Sequence, residues 1–214
     1  MNTLIMGAPG SGKGTFSSRI KNQYNLNHIS TGDIFRDQIS RKTDLGMKAQ
    51  SYMDQGKLVP DDVVNEMVAT YLAGLPDKKN GYLLDGYPRT LAQAKAFEEL
   101  TNGTDNAPQV VIAMDVPTDV LTKRITGRRT CSKCGEIYNI YYKPTKEDGV
   151  CDHCGAPLKQ RKDDNEDSLK VRLDEYFNNT APVLDYYDGL GLVHHIDADR
   201  DFEEIWNDVQ KAYD

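Results

Sequence analysis

Leu4-Ile5-Met6-Gly7-Ala8-Pro9-Gly10-Ser11-Gly12-Lys13-Gly14-Thr15 is the stretch that decides the fold. Leu4-Ile5-Met6 reads as a short buried strand, and a helical pattern runs from Gly14 toward Tyr24. Strand, glycine-rich turn and helix, in that order, form the context in which such a turn binds phosphate. Glycines let the loop curl so that several backbone N–H groups face phosphate oxygens, and the helix N-terminus adds its positive dipole end. Gly10, Ser11, Gly12, Lys13, Gly14 and Thr15 are therefore candidate phosphate-binding residues, with Lys13 reaching the outer phosphates as a mobile point charge. A glycine-rich turn without a ligand is the alternative. Chance rarely places Gly7, Gly12, Lys13 and Gly14 at this spacing, given the ordinary frequency of glycine. Gly14, not a hydroxyl residue, follows Lys13 directly, so Thr15 is not expected to hold Mg²⁺ as it would in a GTPase.

Working outward, Asn27-His28-Ile29, Tyr82-Leu83-Leu84-Asp85 and Val110-Val111-Ile112-Ala113-Met114 read as further strands, and Leu192–Ile196 as a weaker fifth. Residues 32–74 read as helical pieces broken near Gly56 and Pro60, with a helix start at Pro60-Asp61. An amphipathic helix is expected over 90–100 and a last one from about Asp201. Short apolar strands alternating with helices predict an α/β fold: a parallel five-stranded sheet with helices on both faces. Residues 127–164, rich in Tyr, Lys, Cys, Gly and Pro, break that rhythm and read as a separate inserted module.

The chain has 214 residues and a formal net charge of −7, a poor balance for generic binding to nucleic acid or anionic membrane. No segment approaches the roughly 18 apolar residues of a membrane helix. No export signal is evident at the start, so a cytoplasmic protein is expected. Its cysteines, Cys131, Cys134, Cys151 and Cys154, form two C-x-x-C pairs with the spacing of a structural Cys₄ zinc site. Two disulfides are the alternative, disfavoured in a reducing compartment.

Gly7 to Thr15, Ser30-Thr31-Gly32-Asp33 with Arg36, and Asp85-Gly86-Tyr87-Pro88-Arg89-Thr90 together resemble the adenylate kinases. Gly127-Arg128-Arg129, Arg161-Lys162-Asp163-Asp164 and Arg172 extend the resemblance over the whole chain, with Phe16 and Tyr87 as small departures. The resemblance implies reversible transfer of a phosphoryl group from ATP, carried with Mg²⁺, to AMP, giving two ADP, by a monomer with a closing lid. It implies a core of residues 1–29, 61–126 and 165–214, an AMP-binding insertion of 30–60 and a zinc-containing lid of 127–164. It further implies that Arg128, Arg161 and Arg172 grip ATP and the transferred group, with Arg161 and Arg172 reaching the AMP side as well. Arg36 and Arg89 would grip the AMP phosphate, Arg124 would lie against the ATP adenine, and Ile137, Tyr138 and Arg200 would border ATP. Thr31, Lys57, Leu58, Val59, Gly86, Tyr87, Pro88 and Gln93 would form the AMP site.

The chemistry is consistent with these assignments. Phosphoryl transfer between two nucleotides joins two polyanions, so positioning and cationic clamping dominate. Arginine's planar fork grips phosphate oxygens in pairs. Asp85 ends an apolar run, as a Walker-B-like aspartate that orders water around Mg²⁺ does; a turn-initiating aspartate is the plainer reading. Thr31 also reads as a helix cap and Gln93 as an exposed helix position. Asp163 and Asp164 read either as caps of the helix that follows or as partners of the lid. A zinc ribbon that stacks a nucleic-acid strand on Tyr138, Tyr141 and Tyr142, with Lys143 and Lys146, is a competing reading. A kinase for another nucleoside monophosphate is a second.

Overall fold

The computed structural model describes residues 1–76 and 78–214. Five strands, β1 (Asn2–Gly7), β2 (Asn27–Ser30), β3 (Tyr82–Asp85), β4 (Val110–Asp115) and β8 (Val193–Asp197), form one parallel sheet in the order β2-β3-β1-β4-β8. Register is direct, with Leu4 opposite Leu84 on one side and Val111 on the other.

Both faces of the sheet are covered, which is why its central strands are continuous apolar runs. Alternate residues feed two cores. Leu4, Met6, Leu84, Val111 and Ala113 pack against α4 (Asp61–Ala73), α5 (Leu91–Thr101) and α8 (Ala181–Asp188) through Val68, Phe97 and Val183. Ile5, Leu83, Ile112 and Met114 pack against α1 (Lys13–Tyr24) and α9 (Phe202–Lys211) through Phe16, Ile20, Trp206 and Val209. Burying each of the Leu, Ile, Val, Met and Phe side chains among these contributes about 1.5–3 kcal/mol. The edge strand β8 exposes His194 and His195, which explains its weaker sequence signal.

Between β2 and β3 lie α2 (Thr31–Ser40) and α3 (Asp44–Met53), then α4. The expected breaks near Gly56 and Pro60 are present. A further break falls at Lys42, whose φ is 55°, and Thr43 caps α3 by accepting from the Gly46 N–H at 3.0 Å. After β4 comes α6 (Thr118–Thr126), a helix the sequence reading did not place. The chain then forms a small antiparallel sheet, β6 (Ile137–Asn139), β5 (Arg128–Cys131) and β7 (Leu158–Lys159). It returns through α7 (Glu166–Glu175), which runs into a π-turn at Tyr176–Thr180 before α8. No described helix is long and apolar enough to cross a membrane.

The connections leaving β1 and β4 run in opposite directions across the sheet. Such a switch point opens a crevice at the carboxyl ends of the strands, where α/β sheets bind ligands.

Candidate active site

The phosphate loop lies in that crevice. Gly12 caps α1 with φ at 96°, a backbone state a side chain would strain, and the helix begins at Lys13. Lys13 Nζ donates to the carbonyl oxygens of Gly7 at 2.6 Å and Ala8 at 3.0 Å, which folds its ammonium back over the loop. Burial lowers its pKa to about 8; Asp85 opposes the shift, while Arg89, Arg172 and Arg128 add to it.

The loop forms one wall of a cavity of about 750 Å³. Nine basic side chains line it (Lys13, Arg36, Arg89, Arg124, Arg128, Lys143, Arg161, Arg172, Arg200) against four acidic ones (Asp33, Asp85, Glu175, Asp201), an excess of positive charge inside an acidic protein. Burial and neighbouring guanidiniums press Arg161 down to about 9 and Arg172 to about 10, and burial lowers Arg89 too. A guanidinium keeps its proton at neutral pH. The cavity therefore stores repulsion that a polyanion relieves.

Each cation is aimed. Arg89 is pinned along its backbone, its N–H donating to Gln93 Oε1 at 2.7 Å and its carbonyl accepting from Thr180 Oγ1 at 2.9 Å. Its Nε donates to the Gly86 carbonyl at 2.8 Å, leaving the fork ends free of protein partners among the described residues. Arg128 pairs with Asp164, and Arg172 with Asp163 at 3.0 Å and Asp164 at 3.7 Å. Arg36 lies 2.6 Å and Arg161 3.9 Å from Asp33, so the first turn of α2 faces the end of the small module. A methyl group built on Gly14 would lie 3.1 Å from Ile137 Cδ1, so β6 rests on the phosphate loop. Arg124 donates to the Ala198 carbonyl at 2.9 Å and to Asp199 at 3.1 Å. Arg200 borders the cavity, yet its guanidinium is engaged by Asp197 and Asp208.

Several alternative readings are decided here. Asn165, not Asp163 or Asp164, caps α7, accepting from the Ser168 N–H at 2.9 Å. Ser30, not Thr31, caps α2. Thr31 instead donates to the Gly86 carbonyl at 2.9 Å. Gln93 is not an exposed helix position; it is 1% exposed. Both residues border a small second cavity with Lys57, Leu58, Val59, Gly86 and Arg89. Gly86 has φ at 80°, a backbone state that a side chain would strain, and a Cβ there would also lie 2.7 Å from Arg89 Nη2 and 3.0 Å from Thr31 Oγ1. Tyr87 and Pro88 border the large cavity; the Tyr87 hydroxyl donates to Asn65 Oδ1 at 2.8 Å. Asp85 lies at the end of β3 and accepts from Ser17 Oγ at 3.1 Å, with His28 Nε2 at 4.0 Å. Ser17 and His28 escaped the sequence reading; the only signal for Ser17 was its place one helical turn after Lys13.

The four cysteine sulfurs converge within 4.8 Å, and all four are free thiols, so the disulfide reading is set aside. Cys131 and Cys154 lie 3.4 Å apart, and Cys134 and Cys151 3.6 Å. A tetrahedral zinc with metal–sulfur bonds near 2.3 Å spaces its sulfurs about 3.8 Å apart. Backbone N–H groups of Lys133 and Cys134 donate to Cys131 Sγ at 3.4 and 3.5 Å, as they would to a thiolate. The donor set therefore fits a metal ion. Tyr138 borders the large cavity, but its ring is buried and its hydroxyl sits 3.5 Å from Cys151 Sγ, so it supports the cluster and offers no stacking surface for a strand.

The adenylate kinase family model matches residues 5–192. The chain is 45% identical to the adenylate kinase of Clostridium acetobutylicum over 99% of its own length and 98% of that protein's. It is 44% identical to the adenylate kinase of Archaeoglobus fulgidus over 98% of its length and 96% of that protein's. It is also 44% identical to that of Staphylococcus epidermidis over 98% and 97%. A phosphate loop facing a cage of arginines, on a five-stranded parallel sheet, with near full-length similarity to these enzymes, places the chain in the adenylate kinase family.

Proposed function

We propose that the protein moves the terminal phosphoryl group of ATP onto AMP, reversibly, giving two ADP. The observation that carries this reading is the position of Arg89. It belongs to both the large cavity that runs along the phosphate loop and the small one that holds Thr31 and Gln93. A donor nucleotide in the first and an acceptor in the second would meet phosphate to phosphate at its guanidinium.

In this reading the loop N–H groups and Lys13 hold the ATP phosphates, and Arg128, Arg161 and Arg172 follow the transferred group. Arg36 and Arg89 hold the AMP phosphate, and Arg124 packs on the donor base. Lys57, Leu58 and Val59 line the acceptor base, with Thr31 and Gln93 meeting its polar edge. Little covalent work falls to the protein, so aligning the two phosphates and neutralising the charge spread over the transferred group is the catalysis. Mg²⁺ bound with ATP would add charge to that neutralisation. Such an ion keeps most of its waters, and Asp85, held by Ser17, would order them. Zinc in the cysteine cluster would hold the small sheet together, which seats Ile137 over the loop. The base preference is tested by measuring kcat/KM for AMP, GMP, CMP and UMP with ATP as donor. AMP is expected to lead, and a higher value for another acceptor would refute the adenylate assignment.

A further inference from the structure

The side-chain amide of Gln93 is held from both ends by groups that cannot exchange roles. The Arg89 backbone N–H donates to Oε1 at 2.7 Å, and Nε2 donates to Asp61 Oδ1 at 2.8 Å. A backbone N–H only donates and an ionised carboxylate only accepts, so together they fix which end of the amide is oxygen. Asp61 is itself anchored. Its other oxygen accepts from Thr90 Oγ1 at 2.9 Å, and Thr90 Oγ1 accepts from the Gln93 backbone N–H at 3.1 Å. This leaves Gln93 one lone pair on Oε1 and one hydrogen on Nε2, an acceptor beside a donor.

Adenine presents the matching pair, an amino group that donates next to a ring nitrogen that accepts. Guanine presents O6 as acceptor beside N1–H as donor, the reverse order. An unconstrained glutamine would turn its amide end over end and serve either base. Here the turn would set Oε1 against the Asp61 carboxylate and Nε2 against the Arg89 N–H, losing two hydrogen bonds at a buried site. We propose that Asp61 is a specificity-determining positioning residue: it locks the Gln93 amide so that the acceptor site takes adenine and refuses guanine, without itself touching the base. The proposal rests on the acceptor-site reading given above.

The test compares wild type with Asp61→Ala and Asp61→Asn. Alanine removes the carboxylate half of the lock and leaves only the Arg89 N–H to orient the amide; asparagine keeps the shape but can present either end of its own amide. With ATP as donor, kcat/KM is measured for AMP and for GMP, together with the KM for ATP and the melting temperature. Site-directed discrimination by paired hydrogen bonds is large, so the AMP-to-GMP ratio should fall at least about tenfold in Asp61→Ala. It should fall less in Asp61→Asn, with the KM for ATP unchanged in both. A merely structural role would lower the melting temperature and leave the ratio alone. If Asp61→Ala does not fold, Asp61→Asn carries the test. An unaltered ratio in the folded variants overturns the role of Asp61. A wild type that prefers GMP overturns the acceptor-site reading instead.

Discussion

Arg128, the first residue of β5, and Asp164, just before α7, form a two-pronged ion pair that closes the two ends of the small module on each other. Arg128 Nε donates to Asp164 Oδ2 at 2.8 Å and Nη2 bonds the other oxygen. The Asp164 side chain is fully buried, and Arg172 approaches it at 3.7 Å. One carboxylate thus lies between two guanidiniums.

Removing one member of a buried pair costs about 3–5 kcal/mol, because the other charge is left uncompensated. Asp164→Ala should therefore lower the melting temperature of the free protein. In the proposed function ATP would bring negative charge to the same guanidiniums, so a saturating non-hydrolysable ATP analogue should recover a large part of the loss. Thermal melts with and without the analogue check this. An equal loss in both would show that Asp164 acts only as a structural residue.

The two phosphate grips should separate kinetically. Arg89 sits at the junction of the cavities, so Arg89→Ala should lower kcat/KM by at least about a hundredfold, as loss of transition-state charge stabilisation does. In the proposed function Arg36 would hold the acceptor phosphate, which is not transferred, so Arg36→Ala should mainly raise the KM for AMP. Steady-state kinetics with each substrate varied in turn decide it. Equal effects of Arg36→Ala on the constants for ATP and AMP would mean the two phosphate sites are wrongly assigned.

Lys13 gives a pH signature. Burial holds its pKa near 8, below the ordinary 10.5, so the free protein loses this charge as pH rises past about 8. Bound phosphates favour the ammonium and raise the pKa again. Between about pH 8 and 10, binding ATP should therefore take up a proton, and affinity should fall as pH rises. The lowered pKa also means the unfolded chain binds more protons in that window, so this group makes the free protein more stable with rising pH there. Calorimetric titration in buffers of different ionisation enthalpy should show uptake near pH 9 and little at pH 7. Lys13→Met should abolish it.

The cysteine cluster should govern the small module alone. Its buried core is Cys131, Tyr138 and Cys151, far too little to order some 38 residues at about 1.5 kcal/mol each. Structural zinc contributes on the order of 10 kcal/mol or more. Stripping the metal with a strong chelator should lower hydrogen-exchange protection over residues 127–164 and leave Leu4–Met6 and Val110–Met114 protected. Full protection in metal-free protein would make the metal incidental. Joint loss in the central strands would make the module part of the main core.

Much of this was legible in the chain, for physical reasons. Strands buried on both faces leave uninterrupted apolar runs, and β1, β3 and β4 stood out on that account. The phosphate loop and the cysteine pairs depend on spacing along the chain, which sequence carries directly. What stayed hidden depends on contacts between distant segments. Asp61 reads as an ordinary acidic residue in a first helical turn, yet its carboxylate serves Gln93 and Thr90, about thirty residues away. Asp163 and Asp164 precede a helix and read either as caps or as partners of the lid, and only the fold decides: the cap fell to Asn165 and their charges went to Arg172 and Arg128. The helix α6 was missed because it is nine residues long and buries only Leu121 and Ile125, too few to set up a period.

Transfer between two nucleotides is read most directly from the fate of the terminal phosphoryl group. Protein with Mg²⁺ and equal amounts of ATP and AMP, followed by phosphorus NMR, should show both nucleotides consumed and ADP formed, two for each pair. ADP alone should return ATP and AMP, with no free phosphate released in either direction. Release of inorganic phosphate from ATP while AMP stays intact would contradict transfer between two nucleotides in this cleft.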